Sequence, residues 1–201
     1  MGTDLSFDAA RTALLVMDCQ TAIVSIYAKP EQDFVDRASQ VRRAARANGV
    51  TVIFVQVGFR PGLPEVSERN KLFANIKASP QRQKLFEGAA GAIYPSLGPE
   101  PTDLVVTKHR VSAFTGTDLE MLLRANEIVT IVLFGIATSG VVLSTLLDAS
   151  DSDYKLVVIK DCCADLDPEL HSVLLQRLFP QRAEVVTSNE FVSSLEPAHL
   201  K

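Results

Sequence analysis

Residues 128–148 read Ile-Val-Thr-Ile-Val-Leu-Phe, then Gly-Ile-Ala-Thr-Ser-Gly, then Val-Val-Leu-Ser-Thr-Leu-Leu-Asp. The first part is an uninterrupted β-branched and apolar run that stops at Gly135, which predicts a strand buried on both faces. The last part follows Gly140 and has the apolar spacing of a helix. We expect Thr138 and Ser139 to cap this helix, because a hydroxyl accepts hydrogen bonds from the free N–H groups of a first turn.

The turn between this strand and this helix is a candidate functional site. A buried parallel strand that turns sharply into a helix N-terminus provides a natural site for an anion or an oxyanion. The same pattern is also typical of a well-capped helix after a core strand, with no chemistry attached. The choice depends on what the other strands carry at the same edge of the sheet.

Length and composition predict one globular α/β domain over residues 1–201. The chain is 47% apolar, enough for a sizeable core. A net charge of −4 without a Lys/Arg cluster argues against nucleic-acid binding. No run of about 18 apolar residues predicts a membrane span. The first residues also lack the basic start and apolar middle of a signal peptide, so we expect a cytoplasmic protein.

The cysteines and histidines predict neither a disulfide framework nor a metal site. The three cysteines are odd in number, and Cys162 and Cys163 are adjacent, which fits a reducing compartment. None of the three histidines has a second ligand at helical spacing, so we expect no zinc site and no other cofactor. His171 is expected on the surface of a helix.

Further apolar runs predict strands that alternate with helices. These runs are Ala13–Met17, Val50–Val57, Asp103–Thr107, Lys155–Ile159 and Glu184–Thr187. Such alternation is typical of a doubly wound, three-layer α/β domain with a six-stranded parallel sheet. With the strand order 3-2-1-4-5-6, strands one and four flank the point where ligands bind beyond the carboxyl ends of the strands.

Residues 58–101 form a connection that is rich in proline. The prolines leave room only for short helices, one of them around residues 67–76. So long an irregular connection is typical of a lid or an interface. Its apolar residues lack a regular element to bury them; they are Leu72, Phe73, Ile76, Leu85, Phe86, Ile93 and Tyr94. We therefore expect this segment, or the helix after Gly135, to form a homodimer or higher homo-oligomer.

Two charged residues follow strands at the same predicted edge of the sheet. Asp18 comes directly after the first strand and Lys108 directly after the third. Burial raises the pKa of a carboxyl and a nearby lysine lowers it, and a carboxyl between these effects is a good general acid or base. For either residue alone, an ion pair that finishes two strands is an equal alternative. Convergence with the turn of residues 135–141 favours a functional site.

Three segments together resemble a known family. They are Leu15-Val-Met-Asp18-Cys-Gln20, Thr107-Lys108-His-Arg110-Val-Ser-Ala-Phe114-Thr-Gly-Thr-Asp-Leu119 and Gly135-Ile-Ala-Thr-Ser-Gly-Val141. In this order and spacing they resemble the isochorismatase-like hydrolases, a superfamily that also contains nicotinamidases, other amidases and carbamoyl hydrolases. The resemblance covers nearly the whole chain. It implies a hydrolase without cofactor that acts on a small molecule, expected to carry a carboxylate.

The resemblance also implies roles for individual residues. Asp18 would be the catalytic acid or base and Lys108 the charge stabiliser. The substrate or oxyanion cradle would consist of Ala137, Thr138, Ser139, Gly140 and Val141, with a cis peptide bond at Ala137–Thr138. Gln20 and Phe114 lie where relatives line the pocket. The metal cluster of nicotinamidases has no counterpart in residues 56–60, and Arg110 suits either a substrate carboxylate or an exposed loop contact.

The nucleophile of the amidase branch is missing. That branch has a cysteine six residues after the glycine that matches Gly135, where this chain has Val141. The first explanation is cysteine-free hydrolysis of a vinyl ether by Asp18 and Lys108, as the resemblance implies for isochorismatase proper. The second is a substitute nucleophile, either Ser139 or one of Cys19 and Cys163, although Cys19 should point away from the side that Asp18 faces. The third is a catalytically silent protein that binds a ligand or a partner. We favour the first.

Overall fold

The computed structural model describes residues 8–195. These residues form one six-stranded sheet in the order β3-β2-β1-β4-β5-β6, with every neighbouring pair parallel. The strands are β1 (Thr12–Met17), β2 (Thr51–Val57), β3 (Leu104–Lys108), β4 (Thr130–Ile136), β5 (Lys155–Ala164) and β6 (Glu184–Val186). The predicted doubly wound fold and its strand order are confirmed.

Helices pack on both sides of this sheet. They are α1 (Thr21–Tyr27), α2 (Glu31–Ala47), α3 (Lys71–Lys77), α4 (Pro80–Gln83), α5 (Gly88–Gly91), α6 (Leu119–Ala125), α7 (Leu143–Asp151), α8 (Pro168–Val173) and α9 (Ser188–Leu195). Among the described residues, no helix combines the length and the apolar character needed to cross a bilayer.

The centre of the sheet lies where β1 and β4 pair, and every residue of both strands is buried. Met17, the last residue of β1, is opposite Gly135 of β4. A Cβ atom on Gly135 would lie 2.1 Å from the Met17 carbonyl oxygen, so only glycine allows this approach. The carboxyl ends of the two central strands are therefore held side by side.

β5 is longer than the sequence predicts. It continues through residues 160–164, with a register shift against β4 between Leu133 and Gly135. Cys162 and Cys163 are buried in this extension. A free cysteine behaves as a small apolar side chain, which explains why the core strand does not stop at Lys160.

The predicted caps of the helix after β4 are wrong. Residues 138–142 form a wide turn in which Gly140 has non-helical dihedral angles, and α7 begins only at Leu143 without a side-chain cap. The Thr138 hydroxyl instead donates to the Ala164 carbonyl oxygen at 3.2 Å, and the Ser139 N–H donates to Asp165 at 2.7 Å. The segment after β5 supplies these partners, and local sequence does not reveal them.

Residues 58–101 contain short helices, as predicted, and lie across the carboxyl ends of the central strands. The Gln20 side chain anchors the segment, because its Nε2 donates to the Gly91 carbonyl oxygen at 2.6 Å. Gln20 also forms an isolated antiparallel bridge with Ile93. Phe73 is buried in a small cluster with Leu63 and Val66, separate from the main core. The segment therefore has the position of a roof over this end of the sheet.

Candidate active site

Asp18 and Lys108 meet at the carboxyl end of the sheet. Asp18 follows β1 in a left-handed conformation with φ of 52°, and its N–H donates to the Val55 carbonyl oxygen of β2 at 2.8 Å. Lys108 is the last residue of β3. Its Nζ lies 2.8 Å from Asp18 Oδ2, and both side chains are buried. The Lys108 amine also donates to the Arg110 carbonyl oxygen at 3.1 Å.

The electrostatic state of Asp18 follows from its burial. Burial raises the pKa of the Asp18 carboxyl, and the charge and hydrogen bond of Lys108 only partly offset that effect. Oδ2 has Lys108 as its partner, whereas Oδ1 is buried without a hydrogen-bond partner among the described residues. A buried carboxyl oxygen without a partner costs free energy, and a proton on it relieves that cost. The group is suited to carry a proton.

Asp18 and Lys108 line a cavity of about 720 Å³, within the roughly 300–1,000 Å³ that is typical of small-molecule sites. Val141 lies in the same lining. Segment 58–101 contributes the roof, which consists of Leu72, Phe73, Asn75, Ile76, Arg82, Leu85 and Phe86. Further apolar lining comes from α1, and the loop before α8 adds two aspartates. The cavity is largely apolar, with one buried acid–base pair.

The turn after β4 forms another part of the lining, through Ala137, Ser139, Gly140 and Val141. Two of its N–H groups have partners within the protein: Ser139 donates to Asp165, and Gly140 donates to the Ala137 carbonyl oxygen at 3.0 Å. The non-proline cis peptide bond is Ile136–Ala137, one residue earlier than predicted. The turn therefore contacts the cavity, but these two donors are already used.

Three of the expected binding residues, Gln20, Phe114 and Thr138, are not among the described residues that line the cavity. The Gln20 amide exchanges two hydrogen bonds of 2.9 Å with the backbone of Val57. Phe114 packs against Tyr154, with 6.3 Å between ring centroids. Thr138 is fully buried behind the turn. In this structure the three side chains contact the scaffold of the site.

Arg110 is fully engaged in the loop after β3. Its guanidinium donates to the carbonyl oxygens of His109 at 2.6 Å and Glu65 at 2.9 Å. It also lies 5.7 Å from the centroid of the Phe73 ring, on the outer side of the roof. Of the two alternatives for Arg110, the geometry favours the loop contact.

The thiols that could substitute for a nucleophile are buried, and within residues 8–195 no cysteine lines the cavity. Cys19 donates to the Met17 carbonyl oxygen at 3.6 Å, and burial raises the pKa of its thiol well above the ordinary value. Burial also raises the pKa of Cys163 to about 12. A protonated thiol is a poor nucleophile. Ser139 alone of the proposed substitutes lines the cavity.

Sequence reasoning missed Asp165 and misplaced His171. Burial raises the pKa of Asp165, but the hydrogen bonds from Ser139 and from neighbouring N–H groups outweigh it, so the net shift is downward. His171 is half-buried, with its Nδ1 2.8 Å from the Thr138 hydroxyl, so the expectation of a surface residue is wrong. The reason is that the loop before α8 folds back onto the turn after β4. A signal was present in Asp167-Pro168, since the Asp167 side chain caps α8 and fixes where it starts.

Within residues 8–195, no group of three or more His, Cys, Asp or Glu side chains is placed to share a metal ion. The chemistry available from the described residues is therefore proton transfer by a buried Asp–Lys pair in an apolar cavity. Both members of the pair directly follow or end strands of the sheet, so the fold itself fixes their separation.

The isochorismatase domain matches residues 12–190, and this chain belongs to the isochorismatase family of hydrolases. It is 31% identical over 193 residues to the uncharacterized isochorismatase family protein YecD of Escherichia coli O157:H7, covering 95% of this chain and 100% of YecD. It is 32% identical over 183 residues to a ureidoacrylate amidohydrolase, RutB, of Methylorubrum extorquens, covering 82% of this chain and 74% of RutB. An isochorismatase family protein from Burkholderia thailandensis has a similar solved structure, with a TM-score of 0.82, 32% identity and coverage of 96% and 98%.

Proposed function

We propose that this protein hydrolyses a vinyl ether in a small carboxylate-bearing molecule, using Asp18 and Lys108 and no cysteine nucleophile. The observation that carries the proposal is the Asp18 carboxyl, which is buried, has one oxygen bound to Lys108 and lines the cavity. Burial raises its pKa, so the proton-donating form persists to higher pH than for an exposed aspartate.

The reaction follows from these groups. Asp18 gives its proton to the terminal carbon of the vinyl ether, which leaves a cation shared by the adjacent carbon and the ether oxygen. Water adds to that carbon, and the resulting hemiketal collapses to a ketone, pyruvate in the isochorismatase reaction, and an alcohol. Lys108 stabilises the carboxylate that Asp18 becomes. A positioned general acid contributes about 10²–10⁴-fold to such a reaction.

Amide hydrolysis is the competing chemistry within the same family. The similarity to a ureidoacrylate amidohydrolase favours it. Val141 opposes it, because the family resemblance places the nucleophilic cysteine at this position and a valine side chain cannot attack a carbonyl. The buried, high-pKa thiols of this chain do not line the cavity in the part that the structure describes. Vinyl-ether hydrolysis is therefore the better fit.

A silent ligand-binding or interaction protein is the second candidate. The same Val141 favours it, together with the use of the Ser139 and Gly140 N–H groups inside the protein, which leaves fewer donors for an oxyanion. Under either candidate we propose a homodimer or higher oligomer. Its apolar contact would include Leu72, which is 56% exposed, and Leu166, which is 61% exposed.

The test is to incubate the protein with isochorismate, with simpler vinyl ethers and with a panel of small amides, and to measure pyruvate and ammonia. The matched control for Asp18→Asn is Asp118→Asn, because Asp118 lies outside the cavity lining and its side chain makes no cap bond to α6. Pyruvate release that is lost only in Asp18→Asn supports the proposal. Release of ammonia alone would support amide hydrolysis, and tight binding without turnover would support the silent protein.

A further inference from the structure

The roof of the cavity carries a cation that the proposed reaction does not use. Arg82 lines the cavity and, like Lys108, is positively charged, but it forms no ion pair with any described residue. Its guanidinium has one contact, from Nη1 to the Asn75 carbonyl oxygen at 3.5 Å, the upper limit for a hydrogen bond. Most donors of this planar group are therefore available to a ligand.

Neighbouring arginines are engaged by the protein itself. Arg60 lies 3.8 Å from Glu65, and Arg110 donates to two backbone carbonyl oxygens. Arg46 pairs with both Glu100 and Asp103. Arg82 differs from these in having neither a carboxylate nor a close carbonyl for its guanidinium.

A folded element presents Arg82 to the cavity. α4 begins at Pro80, and both the hydroxyl and the carbonyl oxygen of Ser79 accept from the Arg82 N–H, at 3.4 and 3.0 Å. The Gln83 side chain donates to the Lys77 carbonyl oxygen at 2.7 Å, which ties α4 to the end of α3. These bonds fix the backbone that carries the guanidinium.

Apolar side chains make up most of the rest of the roof. Phe73 and Phe86 line the cavity, and Phe59 packs edge-on against both, at centroid distances of 5.8 and 5.4 Å. Such a wall favours an apolar or aromatic ligand body, because burial removes apolar surface from water and rings pack well on ring edges.

The loop before α8 disfavours an anion at its own part of the lining. Asp165 and Asp167 both line the cavity there. Their oxygens accept from backbone N–H groups, namely Ser139 for Asp165 and Glu169 and Leu170 for Asp167. A ligand carboxylate near these two groups meets like charge. An anionic ligand group is therefore directed to the roof.

We propose that Arg82 selects a substrate whose apolar or aromatic body ends in a carboxylate. The carboxylate binds the exposed guanidinium at the roof, the body lies against Phe73 and Phe86, and the reacting bond reaches the buried Asp18. Arginine suits this role because its planar donors match a carboxylate in a bidentate contact. This inference rests on the proposed function for the identity of the reacting end, but the binding it describes is independent of turnover.

The experiment is isothermal titration of the full chain with 3-phenylpropanoate, its neutral amide 3-phenylpropanamide, and propanoate. We expect 3-phenylpropanoate to bind more tightly than either comparison compound. Arg82→Gln should weaken 3-phenylpropanoate binding by roughly tenfold, the loss of one charge-assisted contact, and leave the amide unchanged. Arg69→Gln is the matched control, since Arg69 is exposed in the same segment and is not among the described lining residues.

Several outcomes would overturn the inference. They are equal binding of the acid and its amide, an equal loss in Arg69→Gln, no loss in Arg82→Gln, or no saturable binding of 3-phenylpropanoate at millimolar concentration. The same titration in the Asp18→Asn background separates the two proposals. Binding that depends on Arg82, in a protein without hydrolase activity, refutes only the proposed reaction. Hydrolysis with a KM unchanged by Arg82→Gln refutes only the role of Arg82.

Discussion

Lys108 Nζ lies 2.8 Å from Asp18 Oδ2, across the end of β2, and both side chains are buried. The pair is asymmetric, because Asp18 Oδ1 has no hydrogen-bond partner among the described residues. One oxygen is held by the lysine while the other is left to exchange a proton with a bound molecule. This asymmetry distinguishes the pair from a simple ion pair that finishes two strands, and the expected pH behaviour of the site depends on it.

The first prediction concerns the pH dependence of hydrolysis. The pKa of Asp18 is raised, chiefly by burial, and the form that donates a proton is the neutral carboxyl. The rate kcat/KM should therefore be high at low pH and fall as the pH rises through the raised pKa of Asp18. A pH–rate profile checks this, with Asp118→Asn expected to give the same profile. A rate that instead increases with pH over this range would show Asp18 acting as a base.

The second prediction concerns the Lys108 charge. That charge lowers the pKa of Asp18 and partly offsets burial. Removing it with Lys108→Met should move the falling limb of the profile to higher pH. The profile of the variant, measured with the same substrate, provides the test. An unchanged limb would mean that Asp18 does not carry the titrating proton.

The third prediction concerns stability. Asp18→Asn leaves the Lys108 ammonium buried without its anion, which should reduce the free energy of unfolding by about 3 kcal/mol. The double variant Asp18→Asn/Lys108→Met removes that charge, so it should lose less than the sum of the two single losses. Urea unfolding of the four proteins measures this coupling. Additive losses would contradict an interacting pair.

Much of the fold could be predicted because its strands are continuous apolar runs. The residues of β1 and β4 are buried on both faces, so their composition alone marks them as central strands. The meeting of Asp18 and Lys108 follows from the same logic, since residues at the ends of parallel strands share one edge of the sheet.

The rest of the site depends on contacts between segments that are distant in sequence. Ser139 was expected to cap a helix, but Asp165 accepts from its N–H. His171 was expected at the surface, but Thr138 lies 2.8 Å from its ring. Gln20 has its amide bound to the backbone of Val57 and Gly91. Polar side chains choose among many partners, and a pattern of residue types does not specify which one the fold brings near.

The fourth prediction concerns the position of the missing nucleophile. Val141 lines the cavity together with Lys108, and a thiol beside that cation would have a lowered pKa. Val141→Cys should therefore introduce a thiol that iodoacetamide modifies faster than Cys19, Cys162 or Cys163, whose pKa values burial raises. The variant is also expected to gain weak amidase activity. Mass-spectrometric mapping of the adducts in both proteins measures the rates, and slower modification at residue 141 would contradict the assigned position.

The fifth prediction concerns assembly. Leu72 in the roof segment and Leu166 before α8 are both more than half exposed, and both border the cavity. We expect them to contact a second copy of the chain, so light scattering at micromolar protein should show a dimer or larger species. Leu72→Asp should shift the population toward the monomer, with Met121→Asp, an exposed apolar residue of α6, as the control. A single 21.9 kDa species in the wild type would contradict the prediction.

The most direct test of the central claim is the rate of pyruvate release from a vinyl-ether substrate by three proteins: the wild type, Asp18→Asn, and the wild type after treatment with iodoacetamide. We predict that Asp18→Asn lowers kcat by at least about 10²-fold, the contribution of a positioned general acid, and that alkylation leaves kcat unchanged. Loss of activity in step with modification of Cys19 or Cys163 would show that a thiol does the chemistry. Full activity in Asp18→Asn would equally contradict the account.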